Sequence, residues 1–269
     1  MKTGMDKILS ISNLNVSFVS KRNMKDSDYF LKDLTFSIPQ GKITALVGGN
    51  GAGKSTLFNI IGGLQKGAEG SIIFNGEQIL GKSAHSIART GIGRLFQGAK
   101  VFEELSVLDN MIIGAIQSVN EKPFYSLIFR KQAAKREKEL KEKAVVILTE
   151  LFGEDNEFLK KLYEKAADLS YGQKRLLALA RLLMGEYSLY LLDEPTSGIN
   201  VQFITQIAST IQKMKSINHK TILLIEHNMQ FVRKESEYCL FMSAGKIIEE
   251  GLPDEVLYSE TVQKAYMGF

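Results

Sequence analysis

The chain has one cysteine, no tryptophan, three histidines and four prolines in 269 residues. A single thiol excludes an internal disulfide, and Cys239, set in Tyr238-Cys239-Leu240-Phe241-Met242, reads as a core thiol. His85, His219 and His227 are too scattered to suggest a zinc centre. No apolar run approaches the roughly 18 residues of a membrane span, and Met1-Lys2-Thr3-Gly4-Met5-Asp6 does not lead into the apolar core of a signal peptide. These absences point to a cytoplasmic chain. The formal charge of +4 comes with no zinc-finger spacing and no long basic tract, so direct contact with nucleic acid is not expected. There is no internal repeat and no low-complexity linker. What is present, 44% hydrophobic and 24% charged residues, can fill one large core or share it between a main domain and a subdomain.

Against that background one stretch stands out. Gly48-Gly49-Asn50-Gly51-Ala52-Gly53-Lys54-Ser55-Thr56 fits the phosphate-loop pattern. Ile43 to Val47 ahead of it reads as a short strand, and Thr56 to Ile61 behind it as the start of a helix. Glycines let the backbone turn tightly and aim its N–H groups at phosphate oxygens, while the following helix adds the positive end of its dipole. Lys54 can reach the β- and γ-phosphates, and the Ser55 hydroxyl can join a Mg²⁺ shell. The expected ligands are ATP and Mg²⁺.

Other stretches bear on what the nucleotide is used for. Ile8 to Phe18 and Leu31 to Ile38 read as strands, and Ser71 to Glu77 as a strand ending in an Asn-Gly hairpin signal, so an antiparallel flank is expected beside a parallel core. Gly91 to Gln97 would be a further strand. On spacing alone Gln97 reads as a surface side chain; the alternative is an approach to the nucleotide's magnesium or attacking water. Helices follow over Val107–Ile116, Gln132–Phe152 and Glu157–Ala167. The charges from Lys135 to Lys143 read as a solvated face, with a membrane-facing helix as the alternative. The aromatic run from Pro123 to Phe129 fits either a core plug or an exposed partner site.

Leu169-Ser170-Tyr171-Gly172-Gln173 precedes an apolar helix expected over Leu176–Met184, and by itself is a helix cap. Tyr187 to Glu194 is a hydrophobic strand finishing in two acids, which delivers carboxylates to the C-terminal edge of a buried sheet. Asp193 would bind Mg²⁺ and Glu194 would orient or deprotonate the attacking water. Phe203 to Met214 fits a helix. Thr221 to His227 repeats the buried strand with polar end, and His227 is placed either to meet the γ-phosphate or to act as a structural donor. A hairpin over Phe241–Gly251 and helical segments from Pro253 through Tyr266 complete the chain.

Taken in order over nearly the whole chain, these motifs resemble the ATP-binding subunit of ABC transporters. Leu169 to Gln173 upstream of Asp193-Glu194 gives the resemblance its specificity. It implies an α/β phosphate-loop core with an antiparallel β flank (1–97 and 169–269) and an inserted α-helical subdomain (98–168), the ABC ATPase fold. By the same resemblance Phe18 looks like the aromatic that stacks on adenine, and Gln97 like the glutamine that senses Mg²⁺ and contacts the membrane subunit. Ser170, Gly172 and Gln173 look like the signature that meets the ATP of a second ATPase subunit. Asp193, Glu194 and His227 look like the magnesium acid, the catalytic acid and the switch histidine, and Ser197 to Asn200 like the loop crossing the dimer interface. The resemblance further implies integral-membrane permease partners, a periplasmic binding protein in the same system, and a place on the cytoplasmic face of the membrane.

Tyr171, Asn200 and the ending Val262-Gln263-Lys264-Ala265-Tyr266-Met267-Gly268 are most similar to the ATPases of branched-chain amino acid importers and their urea or amide relatives. The lipopolysaccharide-export ATPase is a near relative, and a soluble nucleotide switch is the alternative of a different class. Two departures stand out: Gly49 where the family usually has proline, and Asn228 after His227 where an acid is common.

Overall fold

Strand β3 (Ile43–Gly48) has all six residues buried, as an unbroken apolar run predicts for a strand covered on both faces. It lies in a computed structural model that describes residues 6–17, 29–98, 101–115 and 130–267. Phe18 and the aromatic run 123–129 lie outside the described residues. The chain divides into two compact units, one of residues 1–97, 188–196 and 215–269, the other of residues 98–187 and 197–214.

The first unit holds both sheets. In the six-stranded one, β3 runs parallel to β8 (Thr221–Ile225) and β9 (Tyr238–Ser243); β7 (Leu189–Asp193) and β6 (Ile92–Leu95) extend the parallel set, and β10 (Lys246–Gly251) closes it antiparallel to β9. The second sheet is antiparallel, in the order β2 (Tyr29–Pro39), β1 (Lys7–Ser17), β4 (Ala68–Phe74), β5 (Glu77–Gln78). Asn75 and Gly76, both at positive φ, make the expected hairpin turn between β4 and β5. Helix α1 (Lys54–Ile61) buries Leu57, Phe58, Ile60 and Ile61 in the same hydrophobic cluster as Leu9 and Phe74 of the antiparallel sheet and Leu191, Leu223 and Leu240 of the parallel one. Helices α2 (Ala84–Thr90), α8 (Met229–Glu235), α9 (Pro253–Leu257) and α10 (Glu260–Met267) belong to this unit. Cys239 is fully buried on β9, and burial pushes its thiol up to about 12.

The second unit is helical: α3 (Val107–Ile113), α4 (Arg130–Phe152), α5 (Glu157–Lys160), α6 (Tyr171–Leu183) and most of α7 (Val201–Ser216). On α4, Ala144, Ile147, Leu148 and Leu151 form a buried stripe at helical spacing. Its charged stretch carries the i,i+4 pairs Lys135–Glu139, Lys138–Glu142 and Glu137–Lys141 on exposed side chains.

Two expectations change here. The helix expected over Glu157–Ala167 stops at Lys160, because the chain beyond it bonds to a distant segment. Val107 and Leu108 donate to the carbonyls of Glu164 and Leu162, and Ala166 donates to Leu105. Residues 169–187 and 197–214 belong to the second unit, with α6 packed on α3 and α4. Helix α6 begins five residues earlier than its apolar run, at Tyr171. Ser170 caps it: its Oγ accepts from Gln173 N–H while Gln173 Oε1 accepts from Ser170 N–H.

Candidate nucleotide-binding and hydrolysis site

The loop between β3 and α1 turns through Gly51 and Gly53 at positive φ. At Gly53 a side chain is excluded twice over, by φ of 108° and because a Cβ would come within 2.5 Å of Leu31 Cδ2. Lys54, the first residue of α1, is buried and donates from Nζ to the carbonyls of Gly48 at 2.8 Å and Gly49 at 2.9 Å. Burial lowers its pKa, and the nearby charges of Glu194 and Asp193 oppose that shift. The ammonium is thus held by its own loop. Ser55 is exposed beside it, with Thr56 half-buried. Gly49, at the position noted for a missing proline, supplies one of the two carbonyls.

Three strand ends of the parallel sheet bring the remaining polar groups together. β7 ends on Asp193, and Glu194 follows in a left-handed conformation at φ of 47°, a strained choice for a residue with a Cβ. Its backbone N–H donates to Ile225 at the end of β8, 3.0 Å away. Both carboxylate oxygens of Glu194 are engaged: Gln97 Nε2, just past β6, donates to Oε2 at 2.8 Å, and His227 Nε2, just past β8, lies 3.1 Å from Oε1. The structure thus joins Gln97, Glu194 and His227, with Lys54 inside the electrostatic reach of both acids.

Ser55, Asp193 and Gln97 each carry an oxygen of the kind that a hard divalent cation such as Mg²⁺ takes, and a buried ammonium at a helix N-terminus suits a phosphate chain. Among the described residues no group of three or more His, Cys, Asp and Glu side chains is placed to hold a metal ion.

In the helical unit, Ser170 and Gln173 are occupied in the capping box, and Gly172 packs against α7, where a Cβ would meet the Phe203 ring at 2.4 to 2.6 Å. Phe18 lies outside the described residues. The ring of Phe30 does reach the loop, since a Cβ on Gly53 would stand 3.6 Å from Phe30 Cε1.

Sequence reasoning passed over three residues. Arg94 on β6 donates from Nη2 to Asp193 Oδ2 at 3.2 Å and stacks over Phe58 and Phe96. Burial lowers its pKa against the opposing charge of Asp193. Glu226 and Thr196, both buried, bond to one another, the first next to His227 in sequence and the second two residues past Glu194. The available signal for Arg94 and Glu226 was a lone charge in an otherwise apolar strand.

Comparison with known proteins follows the same lines. The profile of the family described as ABC transporter matches residues 31–197. The chain belongs to the ABC transporter ATPase family. It is 32% identical to the high-affinity branched-chain amino acid transport ATP-binding protein BraF of Pseudomonas aeruginosa, over 87% of this chain and 90% of that one. To a probable branched-chain amino acid transport ATP-binding protein LivG of Archaeoglobus fulgidus it is 32% identical over 97% and 96% of the two chains. A crystal structure of an ATP-binding cassette of an ABC transporter in its ADP conformation superposes with a TM-score of 0.80 at 31% identity, covering 98% of this chain and all of the other. A nucleotide-free cassette superposes with a TM-score of 0.79 at 30% identity, covering 98% of this chain. As a member of this ABC ATPase family the chain binds and hydrolyses nucleotide. No helix among its described residues is long and apolar enough to cross a membrane.

Proposed function

We propose that this ATPase works with Mg²⁺ as one half of a dimer on the cytoplasmic face of the membrane and drives import of branched-chain amino acids or a related small polar solute. Two integral-membrane permease subunits would form the path, fed by a periplasmic binding protein. The observation that carries the reading is the similarity to BraF and LivG along nearly the full length of both partners.

On this reading Lys54 exchanges its two loop carbonyls for phosphate oxygens, and Ser55, Asp193 and Gln97 hold the metal, which supplies charge neutralisation on the phosphates. Glu194 takes the proton of the attacking water. Gln97 and His227 fix the direction in which its carboxylate points. Ser170, Gly172 and Gln173 face the ATP of the second subunit, so dimer closure completes the site.

Co-purification with multispan partners in mild detergent, followed by reconstitution with the binding protein in vesicles, tests the proposal. ATP-dependent uptake of labelled leucine, isoleucine or valine, or of a small amide competitor, is expected. Recovery of no multispan protein even after crosslinking, or hydrolysis without uptake of any of these solutes, would overturn it.

A further inference from the structure

Glu226 sits one residue beyond β8 and is only 3% exposed. A carboxylate so placed is costly unless its oxygens are filled by donors, and here they are. Oε1 accepts from the backbone N–H of Thr196 at 2.9 Å and from the Thr196 hydroxyl at 2.6 Å. Oε2 accepts from the backbone N–H of His227 at 3.1 Å and of Asn228 at 3.4 Å. Thr196 is two residues past Glu194, on the loop that follows β7; His227 and Asn228 begin the loop that follows β8. One side chain therefore ties together the two loops that carry the acid and the histidine. Asn228 extends the bracket, because its Oδ1 accepts from Phe231 N–H and caps α8, so the residue that departs from the expected acid keeps an acid's capping role.

We infer that Glu226 is a positioning residue: it locks the loop after Glu194 to the loop bearing His227, so that the two groups hold their 3.1 Å contact and shift only as a pair. This rests on the reading of Glu194 and His227 as the hydrolytic groups. The bonds share two oxygens, and hydrogen bonds to an ionised acceptor are among the stronger ones. Moving either loop alone would break two of the four.

The chemistry of the bracket selects its own test. A carboxamide has one acceptor oxygen, so Glu226→Gln in either orientation turns its N–H donors toward two other donors. The expected result, in ATPase assays on the full chain, is a fall in kcat of about tenfold, equivalent to about 1.4 kcal/mol, with the KM for ATP within about twofold. Thr196→Val, which deletes only the hydroxyl donor, should lower kcat in the same sense, and Thr196→Ser should recover most of that loss.

The decisive measurement is a double-mutant cycle, because a merely structural loss would multiply with any other change. In a His227→Ala background, Glu226→Gln should cost less than about twofold. Undiminished kcat in both Glu226→Gln and Thr196→Val, or losses that multiply fully with that of His227→Ala, would overturn the inference. Should Glu226→Gln fail to fold, the same cycle with Thr196→Val gives the answer. Failure of the underlying reading looks different: His227→Ala and Glu194→Gln would both keep wild-type turnover, and the bracket would fall with them, having nothing to position.

Discussion

Arg94 Nη2 donates to Asp193 Oδ2 across 3.2 Å, joining two side chains only 9% and 5% exposed that stand 99 residues apart in sequence. The guanidinium is held in place by its packing on Phe58 of α1 and Phe96, and it balances the buried carboxylate. Removing the Arg94 charge from such a buried pair costs up to about 3 to 5 kcal/mol, less whatever the nearby Lys54 charge restores to Asp193. Arg94→Met should therefore lower unfolding stability in urea by about that amount without nucleotide or metal. Arg94→Met combined with Asp193→Asn, which leaves no lone charge, should recover most of the loss. A double variant as unstable as the sum of the two single changes would show that the pair is not coupled.

Glu194 accepts from Gln97 with one carboxylate oxygen and meets His227 with the other; on the proposed reading the isosteric amide removes its capacity to take a proton with little change of volume. Glu194→Gln should bind ATP with an affinity near that of the wild type and turn over slower by a factor on the order of 10² or more. Lys54→Ala should instead weaken ATP binding, as read by equilibrium titration with a fluorescent analogue. Wild-type turnover in Glu194→Gln would assign the positioning of water to another group.

Gly172, likened to the signature glycine by resemblance, lies where α6 meets α7. An added Cβ would collide with the Phe203 ring at 2.4 to 2.6 Å, and overpacking of this kind costs about 1 to 3 kcal/mol. Gly172→Ala should thus lower the melting temperature of the isolated subunit, before any question of dimer formation arises. Phe203→Leu added to Gly172→Ala should restore part of it. An unchanged melting temperature in Gly172→Ala would show that the packing of α6 on α7 accommodates a Cβ.

Cys239 is the one thiol of the chain and serves as a reporter. Its folded pKa of about 12 exceeds the ordinary 9.0, so the folded state retains a proton that the unfolded state releases. This contribution to stability is complete below pH 9 and is lost as pH rises from about 9 toward about 12. Cys239→Ala should show a shallower loss of stability over that window, whatever its effect at neutral pH. In the folded wild type the thiol should resist a disulfide reagent at pH 8 by at least about 100-fold relative to the urea-unfolded chain. Rapid labelling of the folded protein would contradict its burial.

The parts of the site legible in the sequence are those whose chemistry is local. Gly53 and Lys54 follow a run of six buried residues, and Asp193 closes a run of five, so strand, turn and function fall within one short window. Ser170 and Gln173 announced a cap, although the helix they cap begins earlier than its apolar stripe. What stayed hidden depends on partners far along the chain. The segment after Lys160 has a helical pattern, yet its carbonyls are taken by Val107 and Leu108, and local periodicity carries no trace of that. Arg94 and Glu226 were equally opaque, because each is explained by a residue 99 or 30 positions away.

Strand β3 lies between β8 and β9 with every residue buried, which has a consequence in time. Its amides can trade hydrogen for deuterium only when the whole unit comes apart. Gln97, Glu194 and His227, by contrast, stand one or two residues beyond their strands, where only a smaller unit than the whole need open. Arrival and loss of nucleotide should therefore be written first in the exchange rates of those three loops, while the floor beneath the phosphate loop keeps a slow clock that bound nucleotide can only slow further.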